Sequence, residues 1–228
     1  MLAVPGMLAT VGINLIGSLL ADTFFPDTGL VSTILAETFL FIFSLILSIL
    51  TAGYSYMMMN LARGREAGLG DLLYFFKNQP DRVIIAGFVM ALLQLLSSVP
   101  GMIFSYTTQM GSTLEAQLDW MTHFLVLTVS ASVIQLLLTL PFTCSYYLLA
   151  DEEAISGWES LKQSARMMRG HFGEYILLQI SFLPMIILSI LLLYLPMLWL
   201  LPYMEMANVE FYRDLRGEFV PRENEYFV

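Results

Sequence analysis

The stretch TFLFIFSLILSILTAGYSYMMMNLA, residues 38–62, runs for 25 residues without an Asp, Glu, Lys or Arg. A bilayer core about 30 Å thick is crossed by about 20 apolar residues in a helix, so this stretch is long enough to span a membrane. Four further stretches also lack charge and have at least 21 residues each: 1–21, 83–114, 120–150 and 175–204. The chain is therefore predicted to be an all-α, polytopic membrane protein.

The composition of the 228 residues excludes two other classes of protein. Hydrophobic residues make up 57% of the chain and charged residues only 13%, and the mean hydropathy is +0.73. Soluble domains carry about 25% charged residues to cover their surface, so an ordinary soluble domain is excluded. Intrinsic disorder is excluded by the large apolar content.

The positions of the basic residues predict the topology. Lys and Arg mark the cytoplasmic ends of spans, and all ten follow the second, fourth and fifth charge-free stretches. If 171–215 is a hairpin that turns at Tyr194-Leu195-Pro196, all three basic groups lie on one side. If it holds a single span, the last group lies outside, against the rule, and five spans result.

We therefore predict six transmembrane helices arranged as three hairpins in one domain, residues 1–216. The predicted spans are about 2–20, 34–61, 83–106, 121–149, 172–193 and 196–215. We expect the cytoplasmic (cell) membrane, both termini on the cytoplasmic side, and a polar cytoplasmic tail at 217–228. The first stretch lacks the basic start of a signal peptide, so we expect a retained helix, interrupted at Pro5, Gly6, Gly12 and Gly17.

A weak internal repeat also favours three hairpins. A shift of 88 residues places Ser44, Thr51 and Ser55 on Ser132, Thr139 and Thr143, and Leu61-Ala62 on Leu149-Ala150. Polar residues recur on one face of two predicted spans: Ser44, Ser48, Thr51 and Ser55, and Thr128, Ser132, Gln135 and Thr139. Such residues let helices pack closely and form hydrogen bonds in lipid; the alternative interpretation is a pore.

Two segments between the spans have amphipathic patterns. One carries Leu69, Leu72, Leu73 and Phe76, and the other carries Ile155, Trp158, Leu161, Ala165 and Met168. Ser156 and Glu159 fit a capping box at the start of the second segment. We expect short interfacial helices on the cytoplasmic side, with a partner-binding role as the alternative.

Glu205 is the most informative single position. In a six-helix topology it lies near mid-membrane, where an acidic residue is costly and points to a function. Asn208 and Tyr212 follow at i+3 and i+7 on the same helical face, and Gln94, Gln135, Gln179 and Asn14 are candidate partners. The candidate substrate-binding residues are Glu205, Asn208, Tyr212 and Gln135. The alternatives are a purely structural hydrogen-bond network, or a helix that ends before Glu205 and leaves it in the interface.

Other chemistry is not indicated. His123 and His171 are expected on opposite membrane faces, and no hydrolase, metalloprotease or nucleotide-binding motif occurs. We expect the acidic run Asp151-Glu152-Glu153 to be a solvated loop and Cys144 to be an inert buried thiol. The sequence thus predicts no catalytic residue, no metal, no cofactor and no enzyme. Without a basic stripe, no nucleic-acid partner is expected.

Several stretches together resemble the bacterial membrane-protein family called domain of unknown function 975. They are GYSYMMMNLARG at 53–64, DLLYFFK at 71–77, Pro100-Gly101, YLLAD at 147–151, SARMMRGH at 164–171, Ser181-Phe182 and LWLLPYMEMANVEFY at 198–212. The resemblance implies a helical membrane fold with a cytoplasmic C-terminus. The chain is more distantly similar to the membrane portion of some glycerophosphodiester phosphodiesterases. Neither likeness implies an activity or a catalytic residue.

Two functions fit these observations. The one that we predict is a non-enzymatic membrane module that assists or regulates the assembly of envelope proteins. The alternative is a small-solute or proton-coupled permease that uses the face of Glu205. The expected partners are membrane lipids, together with other membrane proteins or a homo-oligomer.

Overall fold

A computed structural model describes residues 3–25, 29–108 and 111–219, and every regular element in these ranges is helical. The α-helices are α1 (Ala3–Phe24), α2 (Leu30–Ala62), α3 (Tyr74–Lys77), α4 (Pro80–Thr107), α5 (Leu114–Thr139), α6 (Ser145–Asp151), α7 (Gly157–Met168), α8 (Phe172–Ser181), α9 (Leu183–Leu191) and α10 (Met197–Leu215). Five helical segments are long and apolar enough to cross a membrane: Ala3–Phe24, Val31–Ala62, Pro80–Ser105, Leu114–Asp151 and Phe172–Leu191. The prediction of an all-α, polytopic membrane fold is confirmed.

The fourth apolar segment differs from its predicted span. Helix α5 begins at Leu114, where the Thr113 side chain accepts a hydrogen bond from the backbone of Ala116, so Glu115 and Asp119 fall in its first turns. Acidic residues are favourable there because of the helix dipole. The length of the charge-free interval therefore underestimates the length of the helix. Pro141 lies in a 3-10 turn, Leu140–Phe142, that separates α5 from α6, because proline breaks the backbone hydrogen-bond ladder.

Helices α8 and α9 pack antiparallel to α10. The ring centroids of Tyr175 and Phe211 are 5.3 Å apart, and those of Phe182 and Tyr203 are 5.9 Å apart. From the first pair to the second, the residue number increases from 175 to 182 on one side and decreases from 211 to 203 on the other. The two segments are therefore antiparallel, as in a hairpin. The chain turns between Leu191 and Met197, as predicted at Tyr194-Leu195-Pro196. Helix α10 is not among the five most apolar segments because it carries acidic and basic residues.

The C-terminal ends of α2, α6 and α10 meet at one end of the bundle. Arg63 follows α2 and donates to Asp151, the last residue of α6, over 2.6 Å. Tyr212, in the last turn of α10, donates to the same carboxylate over 3.0 Å. Residues 63 and 151 are separated by the same 88 positions as the sequence repeat. The three hairpins therefore end side by side, the arrangement that the repeat predicts.

Helix α1 is continuous, so the expectation of interruptions in it was wrong. Pro5 lies in the first turn, where no helical hydrogen bond is lost. Gly6 and Gly17 act instead as contact points with α2: a Cβ on Gly6 would come within 2.7 Å of the Met57 Cε, and one on Gly17 would overlap the Phe43 ring. Small residues of this kind let membrane helices approach closely.

The two amphipathic segments are short helices, and they differ in how much of their predicted stripes they bury. Residues Leu69–Leu73 form a 3-10 helix followed by α3, and this segment buries Leu72 and Phe75 while Phe76 is exposed. A 3-10 turn has three residues, so the α-helical spacing predicted the burial of Leu72 correctly but selected Phe76 instead of Phe75.

One half of the predicted capping box forms at the start of α7: the Ser156 hydroxyl accepts a hydrogen bond from the Glu159 backbone N–H over 3.2 Å. Trp158, however, is 56% exposed. Helix α7 contacts the bundle through Gly157, whose Cβ would overlap the backbone carbonyl of Arg82. The other members of the predicted stripe are buried or partly buried, so the apolar stripe and this close backbone approach together set the orientation of α7.

Candidate functional site

Glu205 lies at the meeting point of α2, α6 and α10. Its Oε1 atom accepts a hydrogen bond from the hydroxyl of Ser55 on α2 over 3.2 Å. The same oxygen accepts one from the hydroxyl of Tyr147 on α6 over 2.9 Å. Tyr147 and Ser55 are buried and Glu205 is partly buried, so α10 directs this carboxylate toward protein. The alternative in which the helix ends before Glu205 is wrong, because α10 continues to Leu215.

Two more tyrosines stand near this carboxylate. Tyr54 precedes Ser55 on α2, is 7% exposed, and its buried hydroxyl has no hydrogen-bond partner. Tyr175 on α8 is also buried, and both tyrosines are close enough to Glu205 to feel its charge. We call Glu205, Ser55, Tyr147, Tyr54 and Tyr175 the glutamate centre.

No basic residue pairs with Glu205 within the described ranges. The arginines of α10 and of the end of α2 pair with other acids: Arg63 with Asp151, Arg213 with Glu210, and Arg216 with Glu152. Burial of an ionised carboxylate without a counter-charge is costly, even when hydroxyls donate to it. A proton or a cation is therefore needed to balance the charge at this position.

Asn208 extends the glutamate centre toward α8. Its Oδ1 accepts a hydrogen bond from Gln179 Nε2 over 2.8 Å, and its side chain lies beside Glu205. Asn208 therefore stands beside Glu205, as the i+3 spacing predicts, and of the candidate partners Gln179 belongs to the same network.

Gln135 is not part of this centre. It lies on α5, which packs mainly against α4. The side chain of Asn14, also named as a candidate partner, is outside the described part of the chain. Polarity within an apolar stretch identified Gln135, but only tertiary packing decides which helices become neighbours.

Tyr212 binds a different carboxylate from the one predicted. Its hydroxyl donates to Asp151. At 1.5 Å per residue, Tyr212 lies about 10 Å from Glu205 along α10. Its ring packs against that of Tyr147 with centroids 5.5 Å apart. Tyr212 therefore joins the glutamate centre to the charged end of the bundle.

The charged end is a network of ion pairs, which we call the end cluster. Its members are Arg63, Asp151, Glu152, Tyr212, Arg213, Arg216 and Glu218. The prediction of a solvated loop at Asp151-Glu152-Glu153 was wrong for the first two residues, because Arg63 and Arg216 from other helices bind them. Residues distant in sequence supply both arginines, so local composition gave no signal.

Glu218 closes the end cluster beyond the end of α10. Its carboxylate pairs with Arg63 and, over 2.8 Å, with Arg213. Burial alone would raise the pKa of Glu218, but the hydrogen bonds from these two arginines outweigh burial and lower it below its ordinary value. The last described turn is thus fastened to α2 as well as to α10.

A model of the family described as protein of unknown function, DUF975, matches residues 2–218. The chain belongs to the DUF975 family. No curated protein and no solved structure matches the chain. Membership of DUF975 brings no activity with it, so the chemistry of this member has to be argued from its own glutamate centre.

Sequence reasoning missed Tyr54 and Tyr147 in this DUF975 protein. Neither residue has a spacing that marks it, because tyrosine is also a common packing residue in apolar helices. Both lie within stretches that carry the family resemblance, at 53–64 and 147–151, and that was the available signal. Among the described residues no group of three or more His, Cys, Asp or Glu side chains is arranged to hold a metal ion.

Proposed function

We propose that this DUF975 protein is a non-enzymatic permease of the bacterial cytoplasmic membrane that moves a small solute or protons through the glutamate centre. The single observation that carries this proposal is Glu205, which hydroxyls from α2 and α6 bind and no basic residue of the described chain balances. Ionisable residues inside membrane bundles mark pathways for substrates and protons. Transporters place such sites between helical repeats, and Ser55, Tyr147 and Glu205 belong to the three hairpins.

Transport is tested with purified protein in liposomes that contain a pH-sensitive dye. Under an imposed membrane potential we expect proton influx above that of empty liposomes, falling at least about tenfold in Glu205→Gln, since loss of the titrating group removes the carrier of charge. Glu115→Gln, a change at the opposite end of the bundle, is the matched control and should retain full flux. If the wild-type protein moves no protons, and a panel of labelled amines and amino acids also stays outside, the permease proposal is lost.

The orientation is part of the same proposal. Arg63, Arg213 and Arg216 gather at one end of the bundle, and basic residues favour the cytoplasmic side. We infer that the C-terminal end of α10 lies in the cytoplasm and that α10 is a sixth span. In inverted and right-side-out vesicles, an impermeant thiol reagent should reach Glu218→Cys only from the cytoplasmic face and Asp119→Cys only from the opposite face. Labelling of both positions from one side would contradict six spans.

A second candidate is a module that assists or regulates assembly of other envelope proteins. The observation that favours it is the polar stripe of α5, where Thr128 and Ser132 are exposed and bond only to carbonyls of their own helix. Polar residues of this kind are enriched where membrane helices contact each other.

A photo-crosslinking amino acid at Thr128 or Ser132 tests the assembly module in native membranes. We expect one discrete protein adduct from these positions and none from Leu177, an apolar exposed residue of α8. Lipid adducts alone from all three positions would argue against the module and leave the permease as the proposal.

A further inference from the structure

The glutamate centre offers more oxygen ligands than its internal hydrogen bonds use. Ser55 and Tyr147 both donate to Oε1 of Glu205, while the Tyr54 hydroxyl is buried without a partner. Buried polar groups nearly always have a hydrogen-bond partner, so an exception calls for an explanation. A bound group that contacts both Glu205 and Tyr54 would supply it.

The charge of the centre limits what that group can be. One carboxylate contributes one negative charge, and no basic side chain of the described residues offsets it. Divalent ions such as Ca²⁺ and Mg²⁺ favour sites with several oxygen ligands, commonly more than one carboxylate. A single carboxylate among neutral hydroxyls instead matches the charge of a monovalent cation.

The surplus of neutral oxygens distinguishes a cation from a proton. A proton on Glu205 needs one further acceptor. An alkali ion or an ammonium group makes several contacts with oxygen at once. The hydroxyls of Ser55 and Tyr147 reach the carboxylate directly, and the buried side chain of Tyr54 lies near it. The aromatic rings of the tyrosines also favour a positive charge nearby.

We propose that the glutamate centre binds a small monovalent cation, an alkali-metal or ammonium ion, between the carboxylate of Glu205 and the hydroxyls of Tyr54, Ser55 and Tyr147. This deepens the proposed function, on which it rests for the choice of site, by naming the class of ion. Tyr54 is the ligand that the folded chain leaves free for it. Binding of the ion does not require that the protein transport it.

Thermal unfolding of the full chain in detergent tests the proposal, at constant ionic strength and fixed pH. N-methylglucamine chloride, whose cation is too bulky for a closed helical site, is replaced stepwise by sodium, potassium or ammonium chloride. We expect at least one small cation to raise the midpoint along a saturating curve, as a ligand that binds only the folded state does. The three salts separate an alkali ion from an ammonium ion as the bound species.

Three variants connect this response to the site. Glu205→Gln should abolish the saturating shift. Tyr54→Phe should fold as well as the wild type, because its hydroxyl has no internal partner, yet weaken the apparent cation affinity about tenfold, the value of one hydrogen bond to a charged group. Tyr56→Phe, two residues along α2, should leave the affinity unchanged.

The proposal is overturned by equal midpoints in all four chlorides, or by a cation response that Glu205→Gln retains. A midpoint that varies with pH and not with the cation also overturns it and assigns a proton to the site. The outcomes are separable from transport. Cation-specific stabilisation without flux in liposomes would keep the binding site and remove the permease, and proton flux without it would do the reverse.

Discussion

Helices α6 and α10 are joined by two reciprocal hydrogen bonds, in each of which a tyrosine of one helix donates to a carboxylate of the other. The two carboxylates have different surroundings. Tyr147 of α6 donates to Glu205 of α10, and Tyr212 of α10 donates to Asp151 of α6. Asp151 also receives Arg63 and Arg216, whereas Glu205 receives Ser55. The same kind of contact is therefore found once inside an ion-pair network and once without any counter-charge among the described residues.

These surroundings separate the carboxylate that holds the fold from the one that is available for function. An acid that two arginines bind is electrically satisfied and fastens three helix ends. An acid that only neutral groups contact has no counter-charge among the described residues. The end cluster is therefore the fastening of the bundle, and the glutamate centre is its functional candidate.

Removal of Arg63 should have the strongest effect of the changes considered. In Arg63→Ala the Asp151 carboxylate loses its 2.6 Å partner and Glu218 loses one of two. Because the side chains of Arg63 and Asp151 are only 15% and 16% exposed, we expect a loss of about 3 kcal/mol in the free energy of unfolding.

Reversible unfolding in mixed micelles measures this loss, with Arg65→Ala, an exposed neighbour, as the control. A second change, Asp151→Asn, should restore part of the stability in the double variant by removing a largely buried charge that has lost its nearest partner. If Arg63→Ala and Arg65→Ala unfold alike, the end cluster is not the fastening of the bundle.

An intermediate effect distinguishes the two tyrosines. Tyr147→Phe removes one of the few donors to Glu205 and should cost about 2 kcal/mol, within the range for hydrogen bonds to charged groups. Tyr212→Phe should cost less, about 1 kcal/mol, because Asp151 keeps its arginines. Urea unfolding of both variants in the same micelles gives the order, and the reverse order would contradict the assignment of roles.

A weaker effect concerns Glu218 and pH. Arg63 and Arg213 lower the pKa of its carboxyl group in the folded protein. Its contribution to stability is therefore complete above the ordinary pKa of glutamate and is lost as the pH falls through the lowered value. We expect the wild-type midpoint to fall more steeply than that of Glu218→Gln as the pH decreases from about 6 to about 3. Parallel curves for the two proteins would show that the last turn is not held by this carboxylate.

The candidate site was predictable only in part. Glu205 stood out because an acid in an apolar segment is rare, and Asn208 followed from helical spacing. Gln135 did not belong, and Tyr54 and Tyr147 were missed, since each depends on which helices touch. The ion-pair role of Asp151 was missed for the same reason: its arginines follow α2 and α10, at positions 63 and 216.

The amino-acid sequence alone established that this protein is helical and polytopic, because long intervals without charge are stable only as helices in an apolar environment. It also established the turn near Tyr194-Leu195-Pro196 and the N-cap of α7 at Ser156. The partners of the two carboxylates and the close contacts of α1 emerged only from the folded bundle. Hydropathy is a property of single segments, whereas a hydrogen bond between α6 and α10 depends on the packing of the whole bundle.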